Sequence, residues 1–474
     1  MSETLDSLAE IQQLLVDGQL TCLQLVQNYL DQIRIQEDLN AYVEVYEDEA
    51  RQRAIELDNI RMSNDRPLGR LWGAVFSIKD VISHKGHGLT AGSKILQGYD
   101  ALYSATAIER LLKEDAIIIG RANCDEFAMG SDNETSFYGP VRNAINKERI
   151  AGGSSGGSAV SVQARTCLMS LGSDTGGSVR QPASFCGILG FKPSYGRVSR
   201  HGLIAYGSSF DQIGIMGRDL DDLKLTYEII QGPDEYDGTL VKNPGRDETQ
   251  ESPPFRIAYV KEALEHPGLQ PQIAESFGEM ITLLRSAGQI VDEVSFDLLD
   301  YVIPSYYVLT AAEASSNLSR YDGIRYGYRA ADVSQLDEMY TKSRAEGFGR
   351  EVKRRIMLGT FVLSVGHYDA YFAKAQKIRR LIMTRFSALA KEYDVIMMPM
   401  TPTTAWEIGS GKSPVEIYLA DIYSVLANLV GAPAISLPLG EDGDKMPYGL
   451  QLLAGNFREE KLFFLSQYMR SLIL

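Results

Sequence analysis

Apolar positions along this chain follow two periods in turn. Over residues 5–64 they recur at helical spacing, as at Leu8, Ile11, Leu14 and Leu15, with Thr21 placed to cap a second helix. This predicts a helical lead-in over 1–70, packed on the rest. From residue 71 the pattern changes to short apolar runs bounded by turn residues, at 71–80, 116–120, 167–171, 188–195 and 213–218. Such runs fit buried strands better than helices, and helical stretches at 106–114 and after residue 154 separate them. Residues 231–254 turn polar, rich in Gly, Pro, Asp and Glu, and read as a surface excursion. Beyond them the alternation resumes: strand at 256–261, helix at 270–285, strand at 289–296. A long helical region over 304–390 predicts a cap or second lobe. Strands at 394–399, 434–439 and 449–453 and a helix at 459–472 close the chain. Strands spread over the whole length predict an α/β fold, with one large sheet over 71–474 assembled from distant segments.

Composition narrows the function. With 44% hydrophobic and 23% charged residues, the 474-residue chain is ordinary for a globular protein. A net charge of −15, from 47 basic and 62 acidic residues, argues against a broad grip on nucleic acid by this chain. Its densest basic cluster is Lys353, Arg354 and Arg355. The four cysteines show neither C-x-x-C pairing nor metal-ligand spacing, which points to thiols in a reducing compartment and to no metal site. No apolar secretory segment or membrane-length run is present, so a cytoplasmic protein without membrane attachment is expected.

Candidate chemistry concentrates in two Gly/Ser clusters, GGSSGG at Gly152 to Gly157 and DTGGS at Asp174 to Ser178. Glycine-rich loops let backbone N–H groups converge on one point and let a reacting group approach closely. Acyl transfer needs a nucleophile, a base and donors for the developing negative charge. Ser178 can serve as nucleophile, with the N–H groups of Thr175, Gly176, Gly177 and Ser178 itself beside it. None of the five histidines stands in a catalytic-looking setting. A Ser-Lys arrangement is the alternative, with Lys79 at the end of an apolar run and Ser154 as a proton relay. Lowering a lysine pKa from about 10.4 to about 7 or 8 costs roughly 4 kcal/mol, which burial can supply. From residue type alone, a solvated strand-end lysine is the favoured reading of Lys79.

FSIKD at Phe76 to Asp80, AGGSSGGSAV at Ala151 to Val160 and SDTGGSVRQPASFCGILGFKPSYGRVS at Ser173 to Ser199 resemble the amidase signature family. The resemblance implies that family's fold, a single large mixed sheet flanked by helices. It also implies a Ser-Ser-Lys triad of Lys79, Ser154 and Ser178, with a cis peptide at the bridging serine. Further segments at 123–134, 195–214, 313–329 and 351–376 resemble the family's glutamine-dependent amidotransferase branch. By that resemblance the chain hydrolyses glutamine through an acyl-enzyme and supplies ammonia within a heterotrimer, in which its partners are the B and C subunits. There ATP and Mg2+, expected at the partner, drive conversion of Glu-tRNA(Gln) to Gln-tRNA(Gln), with the tRNA bound mainly by the B subunit. No cofactor is expected in this chain. Glutamine's α-carboxylate is assigned to Arg355 and its α-ammonium to Asp421, with Tyr306, Gly130 and Ser131 lining the pocket; Arg354 and Tyr307 are the adjacent alternatives.

Rival readings are a stand-alone amidase acting on other small amides and a non-catalytic subunit that keeps the fold. Shorter motifs prompt three more: an α/β-hydrolase from the G-x-S-x-G match at Gly152 to Gly156, a penicillin-recognising enzyme from SDN at Ser131 to Asn133, and a nucleotide binder from GSGKSP at Gly409 to Pro414.

Overall fold

The computed structural model describes residues 5–242, 244 and 253–473. Among these residues eleven strands form one sheet. They are β1 (Tyr42–Val45), β2 (Val75–Lys79), β3 (Ile117–Ala122), β4 (Met169–Asp174), β5 (Leu189–Lys192), β6 (Gln212–Gly217), β7 (Arg256–Val260), β8 (Ile290–Val294), β9 (Val395–Pro399), β10 (Ala434–Glu441) and β11 (Pro447–Ala454). Their order across the sheet is β1-β3-β2-β4-β6-β5-β10-β11-β9-β7-β8. β2 runs parallel to β3 and β4, and β7 runs parallel to β8 and β9. The remaining pairs are antiparallel, so the sheet is mixed and the class is α/β, as the hydrophobic pattern predicts. β2, β3, β4, β6 and β9 are buried at every position. Strands covered on both faces lose the polar alternation, which is why they read as unbroken apolar runs.

Two stretches differ from the expectation. The lead-in, expected to be helical throughout, holds helices at Leu8–Val16, Cys22–Ile35 and Glu47–Ser63, but also β1. β1 has four half-buried residues at the sheet edge, too few to show a period. Thr21 does cap the second helix, accepting from the Gln24 N–H at 3.1 Å. The 304–390 region is interrupted: helices Val302–Asn317, Leu336–Gly347, Arg350–Leu363 and Lys374–Glu392 are separated at 321–335 by a loop that turns at Gly323 and Gly327, both with positive φ. Part of the 231–254 excursion lies outside the described residues; within it Asp237 pairs with Arg200.

Parallel pairing around β2 positions the site. Ile78 pairs with Leu171 and Lys79 with Ala122, so the carboxyl ends of β2, β3 and β4 share one rim. Loops after parallel strands converge there, and ligands in α/β folds bind at that rim. The flanking Val75, Phe76 and Ile78 are fully buried. Each contributes about 1.5–3 kcal/mol, enough together to hold a lysine in a dry position.

Candidate active site

Lys79 ends β2 with its side chain fully buried. Its Nζ donates to Ser154 Oγ at 2.7 Å and to Ser173 Oγ at 2.9 Å. Burial pushes its pKa down from 10.5 to about 8, against a partial opposing pull from Cys124, Asp125 and Asp174. At pH 7.5 roughly a quarter of such lysines are neutral, against about one in a thousand at the ordinary value. The solvated strand-end lysine is therefore excluded.

Ser154 follows a cis Gly153–Ser154 peptide, just before the helix Gly156–Gln163. Its carbonyl accepts from the Asp125 N–H at 3.2 Å, and the Ser155 N–H donates to the Ser178 carbonyl at 3.2 Å, tying the two Gly/Ser loops together. Gln181 adds a second tie, accepting from the Gly153 N–H at 3.0 Å and donating to the Ser131 carbonyl at 2.8 Å. Ser178 keeps 9% of its surface exposed, where Lys79 and Ser154 have none. Lys79 and Ser154 are dry, and Ser178 is the more exposed of the two hydroxyl residues.

The DTGGS loop is held by an ion pair that sequence reasoning did not single out. Asp174 accepts from Arg180 Nε at 2.9 Å and Nη2 at 3.0 Å, from Asn428 Nδ2 at 2.9 Å and from the Gly177 N–H at 2.8 Å. Burial alone would raise the Asp174 pKa, but the Arg180 guanidinium outweighs it and holds the carboxyl at about 2. The Gly177 N–H, expected among the oxyanion donors, is thus directed at Asp174. No acceptor among the described residues takes the N–H of Thr175, Gly176 or Ser178. Glycine is required here by close approach: a Cβ on Gly176 would lie 2.5 Å from Tyr306 Oη, and one on Gly177, whose φ is +125°, would collide with Ser424 Oγ.

Beside this loop lies a buried cluster of tyrosines and charged side chains. The helix Val302–Asn317 buries Tyr306 over Gly176 and Tyr307 next to it. The Tyr307 hydroxyl donates to Asp421 Oδ2 at 3.2 Å, and Ser131 Oγ donates to the same oxygen at 2.7 Å. Burial raises the Asp421 pKa to about 7, with those two hydrogen bonds pulling the other way. Arg355, on the helix Arg350–Leu363, is buried among Tyr206, Tyr307 and Tyr418, whose ring centres lie 5.4, 5.3 and 5.7 Å from its guanidinium carbon. Its Nε donates to Glu351 Oε1 at 2.9 Å and its Nη1 to Tyr206 Oη at 2.5 Å. Its Nη2 has no acceptor among the described residues. Arg354 points outward and pairs with Glu351, so Arg355 is the arginine that enters the tyrosine cluster. Both tyrosines take part: Tyr306 touches the glycine loop, Tyr307 the charged pair. Gly130 packs on the Asp125 carboxyl, behind the neighbouring Ser131.

Five contributors escaped sequence reasoning. Ser173 and Arg180 stand inside the quoted motif, where a charge six residues from Asp174 was the available signal. Glu351 precedes Arg355 by four on a helix, an ion-pair spacing readable in advance. Tyr206 and Tyr418 carry no such sign.

The shorter motifs lack the partners that their templates require. Ser154 bonds to no histidine; His84 stacks on His87, which pairs with Glu49, His201 lies between Tyr103 and Tyr236, His266 accepts from the Gly268 N–H and His367 packs on Phe361. In the SDN segment, Asn133 accepts from the Gly156 N–H at 3.0 Å, at the start of the helix that follows Ser154. Lys412 of GSGKSP lies over the Trp406 ring, and Pro414 opens a six-residue helix. Among the described residues no group of three or more His, Cys, Asp or Glu could hold a metal ion, and no helix is long and apolar enough to cross a membrane.

Known proteins resemble this chain over nearly its whole length. The family model described as Amidase matches residues 24–463. The chain is 48% identical over 453 residues to the A subunit of glutamyl-tRNA(Gln) amidotransferase from Chlorobium phaeobacteroides, covering 94% of this chain and 95% of that one. It is 46% identical over 458 residues to the protein of the same name from Fusobacterium nucleatum, covering 96% and 93%. The crystal structure of the corresponding A subunit of glutamyl-tRNA(Gln) amidotransferase from Thermotoga maritima superposes with a TM-score of 0.77 at 37% identity, covering 94% of this chain and 93% of that one. A match over most of the length, by sequence and by fold alike, means that this chain belongs to the amidase family.

Proposed function

We propose that the chain is the glutamine-hydrolysing component of a tRNA-dependent amidotransferase, acting through Lys79, Ser154 and Ser178. One observation carries the reading: a buried Arg355 with an open Nη2 and a buried Asp421 both contact Tyr307, next to the glycine loop that holds Ser178. Free glutamine brings a carboxylate, an ammonium and a carboxamide, and these partners match the first two. A simple amide has no use for either charge.

In the proposed reaction neutral Lys79 takes a proton from Ser154, which takes one from Ser178, and Ser178 Oγ bonds to the carboxamide carbon. The N–H groups of Thr175, Gly176 and Ser178 receive the oxygen that becomes negative. Collapse of the tetrahedral species breaks the C–N bond, and the proton returns through Ser154 to the leaving nitrogen as ammonia. Water then cleaves the glutamyl ester on Ser178, giving glutamate and the free serine. The names of the relatives support the remainder. Ammonia passes to the B subunit of a heterotrimer completed by a C subunit, and the B subunit, with ATP and Mg2+, converts Glu-tRNA(Gln) to Gln-tRNA(Gln). The B subunit holds the tRNA, in keeping with the acidic charge of this chain, and the complex works in the cytoplasm.

The test is Ser178→Ala in the assembled complex. Glutamine hydrolysis should disappear while amidation driven by added ammonium persists. Loss of both activities, or wild-type enzyme turning over simple amides faster than glutamine, would contradict this function.

A further inference from the structure

Arg355 is not free to choose its orientation, and Glu351 is one of the side chains that fix it. Glu351 lies one turn earlier on the helix Arg350–Leu363, with 13% of its side chain exposed. Its Oε1 accepts from Arg355 Nε at 2.9 Å and from the Tyr418 hydroxyl at 2.6 Å, and its Oε2 accepts from Arg354. Burial pushes the Glu351 carboxyl up, but Arg355, Tyr418 and Arg354 outweigh it and keep it below the ordinary range. Tyr418 stacks on Tyr307 with ring centres 4.0 Å apart, and the helix that carries it, Pro414–Leu419, leads directly into Asp421. The start of the arginine helix is fixed as well, since both carboxylate oxygens of Glu126 accept from the Gly349 N–H, at 3.0 and 2.9 Å.

Glu351 therefore joins the element that bears the cluster's cation to the element that bears its anion, bridging to a tyrosine 67 residues away in sequence. It also decides which edge of the guanidinium is available. With Nε on Glu351 and Nη1 on Tyr206, the edge formed by Nη1 and Nη2 is the one left for a forked contact with a carboxylate. We propose that Glu351 is a positioning residue that presets Arg355 for the α-carboxylate of the substrate and so makes the enzyme selective for zwitterionic amino-acid amides over neutral amides. This rests on the glutamine reading above. Glu351 touches no reacting atom, so its effect falls on binding of the charged substrate and leaves the acylation step unaltered. An ion pair that merely stabilised the helix would act on all substrates alike.

The experiment measures kcat and KM for glutamine and for propionamide with wild-type, Glu351→Gln and Glu351→Ala enzyme, each assembled with its partner subunits. Glu351→Gln keeps an oxygen acceptor for Nε and Tyr418 but removes the charge, so KM for glutamine should rise about tenfold with kcat within about twofold of wild type. Glu351→Ala removes the acceptor too, and the rise should reach about a hundredfold. For propionamide kcat/KM should stay within about twofold in both variants, which also shows that they fold. Wild-type KM for glutamine in both variants, or equal losses on the two substrates, overturns the proposal alone. Wild-type enzyme that hydrolyses propionamide and leaves glutamine intact overturns it together with the amidotransferase reading.

Discussion

The proposed catalytic loops and the proposed substrate site beside them are built on opposite principles. The loops place backbone: two short segments, Gly152 to Gly157 and Asp174 to Ser178, emerge from the rim of one sheet and fix hydroxyls and N–H groups through glycine geometry and a single internal ion pair. The substrate site places side chains. Arg355, Asp421, Tyr306 and Ser131 arrive from four separate stretches and are held by one another, by tyrosine side chains and, at Arg355, by Glu351. In the proposed reaction the backbone loops serve any amide, whereas the cluster of side chains selects which amide is presented. Changes in the first region should therefore alter rate, and changes in the second should alter choice.

The sharpest way to break this division is at Lys79. Arginine stays protonated and cannot take a proton, so Lys79→Arg should lower kcat for glutamine and for a neutral amide alike by about 10⁴-fold. In the wild-type enzyme kcat should rise with pH through about 8 and level off above it, because the neutral amine is the working form and its pKa lies near that value. A Lys79→Arg enzyme with substantial turnover would remove the lysine from the relay.

Next in size is the ion pair under the oxyanion loop. Asp174→Asn leaves Arg180 charged, fully buried and short of its partner, at a cost of about 3–5 kcal/mol in unfolding free energy measured by denaturant titration. A variant as stable as wild type would mean that Asn428 and Gln451 alone suffice to hold Arg180.

Arg355→Ala addresses the second region. KM for glutamine should rise about a hundredfold, with little change for a neutral amide, as expected when one partner of a desolvated charge contact is removed. An equal rise for both substrates would place the arginine outside the carboxylate contact.

The mildest effect comes from Asp421. Its raised pKa makes it protonated below about pH 7 and ionised above, so its attraction for the substrate ammonium is present at high pH and fades as pH falls. Between pH 7.5 and 6.0 KM for glutamine should rise roughly eightfold. Asp421→Asn should flatten that dependence, and a wild-type profile in the variant would assign the titration to another group.

Legibility in the sequence follows the same division. Ten of the eleven strands stood out, and β2, β3, β4, β6 and β9 did so because burial on both faces of a mixed sheet makes an apolar run; β1 did not, being short, half-buried and embedded in helical surroundings. Ser154 and Ser178 stood out as candidates because glycine-serine loops have few other reasons to occur next to apolar strands, whereas Lys79 was marked only by its place at the end of an apolar run. Arg355 and Asp421 were not, since a charge on a helix is most often solvated and nothing local distinguishes the buried one. Only the likeness to a family picked them out, and only burial separated Arg355 from Arg354. The Asp174–Arg180 pair lay in plain view, yet a sequence does not state that two charges will be taken out of water together.

The placement of β1 reaches beyond the site. It covers the outer hydrogen-bonding edge of β3, which lies beside the strand that bears Lys79. Without residues 42–45 that edge would offer bare amides and carbonyls to any extended chain nearby. A trimmed form of the protein would then face a hazard unrelated to its chemistry: strand-to-strand association between molecules, showing itself as aggregation before any defect in turnover.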